Sequence, residues 1–298
     1  MLLPKFEYHE PKTLDEATGL MGEIGGEASI LAGGTDLLVN MKTGKASPRH
    51  VVSLCRIGEL KEAKREHGSL TIGACVTVAD LRELEEIRTD FRGLSKGAGS
   101  LGSPLIRNLA TLGGNLVTAR PAADLPPPLI SYGATILLKK QTGERTLPLE
   151  EFFKGPGETI IEPGEILCSV LLREPPLYSG GGYVKLGMRR ALEISLVNVA
   201  AFFALDGPSG PIQEARVVLG AVAPTAIRSF FAEQVLIGER PDEALFEKAG
   251  EAAMNDAKPI DDFRGSAEYR REMVKVLTKK ALGRAYEEAK LREWRRWK

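Results

Sequence analysis

The sequence is short of cysteine and histidine, and each shortage excludes a class of chemistry. The three cysteines, Cys55, Cys75 and Cys168, are far apart and form no CxxC pair. A zinc site or iron–sulfur cluster held by this chain alone is therefore not expected, and the thiols read as reduced and mostly buried. His9, His50 and His67 form neither HxxxH nor HExxH. No GxSxG signals a triad hydrolase, and no GxxxxGK[ST] signals a P-loop. Excess charge is also missing. Lys+Arg and Asp+Glu are both 40, giving a net charge of zero and arguing against nucleic-acid binding. No apolar run reaches the length of a membrane span. The opening MLLPKFEYHEPKTL holds no apolar stretch of signal-peptide length, so a cytoplasmic protein is expected.

What remains is a chain of 298 residues, 43% hydrophobic, long enough for two domains. Ala28–Leu31 reads as a strand leading into Ala32-Gly33-Gly34-Thr35-Asp36, with Thr35 or Asp36 near the N-cap of a helix over LLVNMK. Strands are expected at 50–55, 69–74, 134–140 and 165–172, with a hairpin turn at Thr142-Gly143 and a helix from Thr77. Pro175-Pro176 and Gly180-Gly181-Gly182 read as a linker. Beyond it, the apolar runs 194–206 and 215–223 flank GPSGP and suggest an antiparallel hairpin. Helical spacing follows in DEALFEKAGEAAM and from Ser266 onward, where Tyr269, Met273, Val276 or Leu277, and Leu282 mark one face. The basic tail KLREWRRWK, with two tryptophans, reads as a helix end that docks its rings or meets a partner. The fold class is α+β, an N-terminal nucleotide-binding region before a smaller sheet-plus-helices domain.

Two glycine turns carry the chemistry: Ala32-Gly33-Gly34-Thr35-Asp36-Leu37 and Thr111-Leu112-Gly113-Gly114-Asn115. Glycines let backbone approach an anion closely, and N–H groups freed at a turn or helix start point at phosphate oxygens. Thr35, Thr111 and Asn115 add side-chain donors. Two such turns could clamp a dinucleotide, although a lone GG pair is usually an ordinary turn. Gly97-Ala98-Gly99-Ser100-Leu101-Gly102 matches GxGxxG, but no strand precedes it and Pro104 interrupts the segment after it, which argues against a Rossmann fingerprint. Asp124, boxed by prolines, suits either a ribose contact or a helix cap.

In this order, AGGTDLL (32–38), IRNLATLGGNL with PAADLPP (106–127), GPGETIIEPGEIL (155–167), YVKLGMRRALEISLVNVA (183–200), LGAVAPTAIR (219–228) and RGSAEYRREMV (264–274) resemble the FAD-binding subunit of the xanthine dehydrogenase and carbon monoxide dehydrogenase family of molybdenum hydroxylases. The resemblance runs nearly end to end. It implies a vanillyl-alcohol-oxidase-like FAD-binding domain of two α/β subdomains (1–56 and 57–176). A C-terminal domain (177–298) of three antiparallel strands and a helical bundle would follow. It also implies non-covalent FAD, a molybdopterin-binding large subunit and a small subunit with two [2Fe-2S] clusters, usually as a dimer of heterotrimers. Electrons would reach the flavin from the clusters and leave to NAD⁺, a quinone or oxygen.

Carried over by position, Leu31, Ala32, Gly33, Gly34, Thr35, Asp36 and Leu37 would hold the pyrophosphate and nearby flavin atoms. Thr111, Gly113, Gly114 and Asn115 would complete the cradle, and Asp124 would bind the ribose or polar chain. Gly102, Tyr183 and Lys185 would lie near the flavin ring, with the Lys185 cation favouring the anionic reduced ring. Leu167 and Ile194 would line apolar parts of the pocket. Arg120 stands where relatives often carry a small hydroxylated residue, and reads either as an exposed loop arginine or as added positive charge near the cofactor or at a subunit contact. The extra [4Fe-4S] cluster of some members lacks its cysteines here. A free-standing flavin oxidoreductase and a nucleotide-binding module without redox chemistry are the alternative functions. The first needs a general acid or base at the flavin, and none declares itself in the sequence.

Overall fold

A computed structural model describes residues 2–189 and 193–296, with side chains as far as 292. Among the described residues, three larger sheets follow one another along the chain, with a two-stranded one, Phe153–Gly155 and Glu158–Thr159, beside the second. The first is parallel, in the order Glu7–His9, His50–Ser53, Ala28–Leu31. Parallel neighbours need crossovers, and the helices Leu14–Ile24 and Leu37–Lys42 supply them. Thr13 caps the first of these by accepting from the Glu16 N–H, while Glu16 accepts from the Lys12 N–H, a reciprocal arrangement that fixes where the helix starts.

The second sheet is antiparallel, ordered Ala63–Glu66, Ser69–Gly73, Ile166–Arg173, Thr135–Lys140, Gly143–Pro148. The expected hairpin forms, with Gln141 and Thr142 as its loop residues. Between Gly73 and Thr135 the chain makes six helices, whose apolar residues, among them Leu81, Leu94, Leu116 and Leu129, are buried against this sheet. The GxGxxG stretch falls within and just after the helix Arg92–Ser100, so it is no strand-to-helix fingerprint. Pro126, Pro127 and Pro128 open the helix Pro126–Ser131, occupying positions where an N–H would have no intrahelical partner.

The third sheet is antiparallel, ordered Ser179–Leu186, Val197–Leu205, Ile212–Gly220 and the two-residue strand Ile227–Arg228. Here the structure corrects the sequence reading. Gly180, Gly181 and Gly182 are not a linker but the buried start of the strand Ser179–Leu186. A Cβ on Gly180 or Gly182 would stand 2.1 Å from the carbonyl oxygen of Ala285 or Ala281 in the long helix Ala267–Arg296. A Cβ on Gly181, on the opposite face, would stand 2.0 Å from the Tyr132 hydroxyl. The glycines are there because helix and strand approach closely on both faces. Accordingly the sheet belongs to two cores. Tyr183, Ala200, Phe202 and Val218 join the core of the second sheet and its helices. Val199, Ala201, Phe203 and Leu219 pack with Phe246, Val274 and Ala281 of the C-terminal helices. The tail tryptophans' side chains lie outside the described residues.

Candidate functional site

Two cavities of about 710 and 770 Å³ adjoin, sharing Asp36, Asn115 and Thr118 in their walls. Together they have room for an extended dinucleotide, whereas a single ligand site usually spans ~300–1,000 Å³.

The first cavity lies between the loop after the strand Ala28–Leu31 and the start of the helix Leu112–Val117. Ala32, Gly33, Gly34, Thr35, Asp36 and Leu37 all line it; Leu31 stands behind the loop and does not. Gly34 takes φ +71°, and a Cβ on Gly33 would lie 1.9 Å from the Leu109 carbonyl oxygen, so both glycines are required by the turn itself. Among the described residues, the backbone N–H groups of 33–37 donate to no other protein group. Asp36 occupies the N-cap of the helix Leu37–Lys42, yet its side chain makes no capping bond. This run of unspent donors at a glycine turn is the arrangement that receives phosphate oxygens.

The second glycine pair differs from expectation. Gly113 and Gly114 sit inside the first turn of the helix Leu112–Val117, not in an open turn. Their N–H groups are spent: Gly113 donates to the Ala74 carbonyl at 2.8 Å, and Gly114 to Thr111 Oγ1 at 3.1 Å. Gly113 is small because Ala74 lies against it, where an added Cβ would meet Ala74 Cβ at 2.6 Å. Gly113 and Gly114 thus shape the cavity wall rather than supply donors, while Thr111 Oγ1 accepts from Gly114 and keeps its own hydroxyl proton to donate. Asn115 does supply polarity. Its Oδ1 is buried with no hydrogen-bond partner and borders both cavities. A buried polar atom without a partner is costly unless a ligand satisfies it. Leu167 lines this cavity, beside the 161–165 loop, to which the sequence alone assigned no role. That loop is pinned by a bidentate Arg145–Glu165 pair at 2.7 and 2.8 Å, while Glu165 also accepts from the Glu162 N–H.

The second cavity is lined by Gly102, Arg120, Asp124 and Ile194, the last of these largely exposed. Lys258, Arg264 and Arg270 reach it from the far end of the chain, a juxtaposition that no local sequence signal announces. Arg120 is exposed in the wall of this cavity.

The polar cluster behind this wall corrects three role assignments. Asp124 is buried and already accepts three hydrogen bonds: from Tyr183 Oη to its Oδ1 at 2.7 Å, from Ser195 Oγ to Oδ1 at 3.1 Å and from Lys185 Nζ to Oδ2 at 2.8 Å. Burial pushes the Asp124 carboxyl up, against the pull of Lys185, Tyr183 and Ser195. Lys185 spends its other two donors on the carbonyls of Ser100 and Glu193. Neither Tyr183 nor Lys185 lines either cavity. Asp124 therefore has little capacity left for a ribose, and the Lys185 charge is neutralised within the protein. These residues tie the second sheet's helices to the third sheet and hold the cavity wall. Among the described residues, no histidine lines either cavity. Cys75, the one lining cysteine among the described residues, is buried, and burial pushes its thiol up to about 12.

Unspent N–H groups, an orphaned amide oxygen and a cradle closed to any side chain at Gly33 fit a flavin dinucleotide, and the fold and site define a flavoprotein. Residues 4–174 match the FAD-binding domain in molybdopterin dehydrogenase, and residues 182–285 match the CO dehydrogenase flavoprotein C-terminal domain. The chain belongs to this family, the FAD-binding oxidoreductase subunits of molybdenum hydroxylases. It is 33% identical over 288 residues to the carbon monoxide dehydrogenase medium chain of Hydrogenophaga pseudoflava, covering 96% of this chain and 99% of that one. It is 33% identical over 280 residues to the xanthine dehydrogenase FAD-binding subunit of Escherichia coli O157:H7, covering 93% and 95%. A solved Hydrogenophaga pseudoflava carbon monoxide dehydrogenase lacking the Mo-pyranopterin moiety superposes with a TM-score of 0.92 at 31% identity, covering 97% of this chain and 99% of that chain. Quinoline 2-oxidoreductase from Pseudomonas putida 86 superposes at 0.90 with 29% identity, covering 97% and 99%.

Proposed function

We propose that this chain is the electron-transferring flavoprotein subunit of a three-subunit molybdenum hydroxylase. It receives electrons from the [2Fe-2S] clusters of a small partner subunit and delivers them to an external acceptor: NAD⁺, a quinone or oxygen. Substrate oxidation belongs to a molybdopterin-binding large subunit. The assembly is a dimer of heterotrimers in the cytoplasm, and the chain divides at 176–177 into the FAD-binding domain, with subdomains 1–56 and 57–176, and the C-terminal domain.

The observation that carries the reading is the pair of adjoining cavities, one bordered by five unspent backbone N–H groups. FAD, when bound, would supply a centre that takes electrons one at a time from the clusters and passes them, singly or as a pair, to the acceptor. The chain's residues do the rest. The 33–37 N–H groups bind phosphate, Asn115 Oδ1 accepts from the cofactor where the cavities meet, and Asp36 offers a carboxylate to its hydroxyls. Leu167, Leu101 and Ile106 exclude water from the apolar part of the first cavity.

A free-standing flavin oxidoreductase is less well supported, because two of the three carboxylates that line the second cavity are already committed and the third, Asp36, faces the cofactor's hydroxyls in this reading. Asp124 is held by Tyr183, Ser195 and Lys185, and Glu193 pairs with Arg189. The visible spectrum of the purified chain, before and after adding FAD and then acid, tests the reading. Flavin bands released entirely by acid, with no turnover of organic substrates and with co-purification of two further chains on co-expression, are expected. Substrate oxidation by the lone chain would favour the free-standing enzyme. A colourless protein in every preparation, co-expressed material included, would overturn flavin binding.

A further inference from the structure

We propose that Glu7, His9 and His50 form a binding site for a divalent transition-metal ion of the Zn²⁺ class, outside the flavin cavities. The three ligand atoms lie within 4.8 Å of one another, and none of these residues lines either cavity. Strand register builds the cluster. Glu7 sits directly opposite His50 on the neighbouring parallel strand, and His9 is two residues beyond Glu7, so all three side chains leave the same face.

The distances fit an ion better than a proton. His9 Nε2 and His50 Nδ1 are 3.1 Å apart, and Glu7 Oε2 is 3.5 Å from the same His50 nitrogen. Tetrahedral coordination with Zn–N bonds of ~2.0–2.1 Å sets two imidazole nitrogens roughly 3.3 Å apart. Without an ion, three acceptor lone pairs converge with at most one imidazole proton between neutral rings to satisfy them. If His9 donates to His50, the Glu7 carboxylate faces a lone pair; if His50 donates, one N–H is split between two acceptors. A divalent cation satisfies all three at once. Two imidazoles and one carboxylate are the donor set for a borderline transition ion, not for Mg²⁺ or Ca²⁺. The exposed Glu7 side leaves room for water as a fourth ligand. Bound there, the ion fastens the three-residue edge strand Glu7–His9 to its neighbour.

The test uses the full chain, untagged, loaded with FAD and stripped of metal. Titration with ZnCl₂ by calorimetry should show one ion per chain. CoCl₂ should produce visible bands of low-symmetry coordination, and Zn²⁺ but not Mg²⁺ should raise the thermal midpoint. The double variant His9→Ala/His50→Ala should bind at least tenfold more weakly, and His67→Ala, in a distant turn, should match the wild type. Should the double variant fail to fold, Glu7→Gln decides, since that side chain is 75% exposed and its loss threatens the fold least. Absence of uptake by the wild type, or equal affinity in the wild type and whichever of these variants is read, would overturn the site.

Discussion

Lys185 and Asp124 face each other at 2.8 Å across the joint between the helices of the second sheet and the strand Ser179–Leu186, with both side chains about nine-tenths buried. An ion pair so placed does not gain much over an apolar pair, but breaking it leaves one charge without its partner. Lys185→Met should therefore destabilise the protein by about 3–5 kcal/mol in denaturant titrations at neutral pH. The loss should shrink as pH falls, because protonating Asp124 removes the uncompensated charge. Tyr183→Phe, which leaves the ion pair intact, should cost only ~1–2 kcal/mol. If Lys185→Met were no worse than Tyr183→Phe, the cluster would not be the joint that holds helices and strand together.

The two glycines of the first turn and the first glycine of the second pair are constrained by different neighbours. Gly33→Ala drives a Cβ into the Leu109 carbonyl and Gly113→Ala drives one into Ala74, whereas Gly26→Ala meets nothing within 4 Å. Overpacking of this kind costs about 1–3 kcal/mol, so both tight variants should melt earlier than Gly26→Ala. Gly33→Ala should in addition lose flavin out of proportion, because it displaces the donors of 33–37. Thermal midpoints and flavin content after gel filtration check both statements.

The first cradle was legible because strand, glycine turn and helix start are all local: Ala28–Leu31, Gly33-Gly34 and Leu37 announce themselves in order. Gly113-Gly114 misled because a GG pair looks the same whether it opens a turn or lets a helix pack on Ala74; only the distance separates the cases. Gly180-Gly181-Gly182 misled likewise, since close packing on two faces and chain flexibility call for the same residue. The roles of Asp124 and Lys185 rest on contacts 61 residues apart, and Lys258 and Arg264 reach the second cavity from the other end of the chain. No periodicity or spacing encodes such pairings.

Asn115 offers a test in which stability and binding move differently. Its Oδ1 is buried and unpartnered, so Asn115→Ala removes an unmet polar group and should leave the flavin-free protein as stable as before, or more so. The same change removes an acceptor at the meeting point of the cavities. FAD affinity should fall about tenfold, which corresponds to ~1.4 kcal/mol. Fluorescence titration with FAD against the melting temperature of stripped protein separates the two effects. Unchanged affinity would mean that the orphaned oxygen serves no ligand.

Arg120 stands exposed in the wall of the second cavity, so Arg120→Ser should have little effect on folding. Loss of its charge should weaken FAD binding or the assembly with partner chains, and the deficit should narrow as salt rises, since exposed charges are screened. Affinity measured at low and high salt, with co-purification of the partner chains, checks this. No change in either would leave Arg120 as an ordinary surface residue.

Glu288 supplies the clearest pH dependence. It lies buried on the long C-terminal helix, its Oε2 paired with Arg92 at 3.0 Å and its Oε1 unpartnered. Burial pushes its carboxyl up to about 7, against the opposing pull of Arg92 and Arg292. A raised folded-state value means that the native protein holds a proton which the unfolded chain, titrating near 4.5, has given up. Stability from this group is thus fully present below about pH 4.5 and is lost as pH rises through about 7, by on the order of 1–3 kcal/mol. Glu288→Gln fixes the neutral state and should remove that component, so the variant should gain on the wild type between about pH 5 and 8. Urea titrations at the two pH values give the comparison. Parallel pH slopes in the two proteins would show that Glu288 stays ionised beside Arg92, and that the joint between the long helix and Arg92 is an ordinary ion pair.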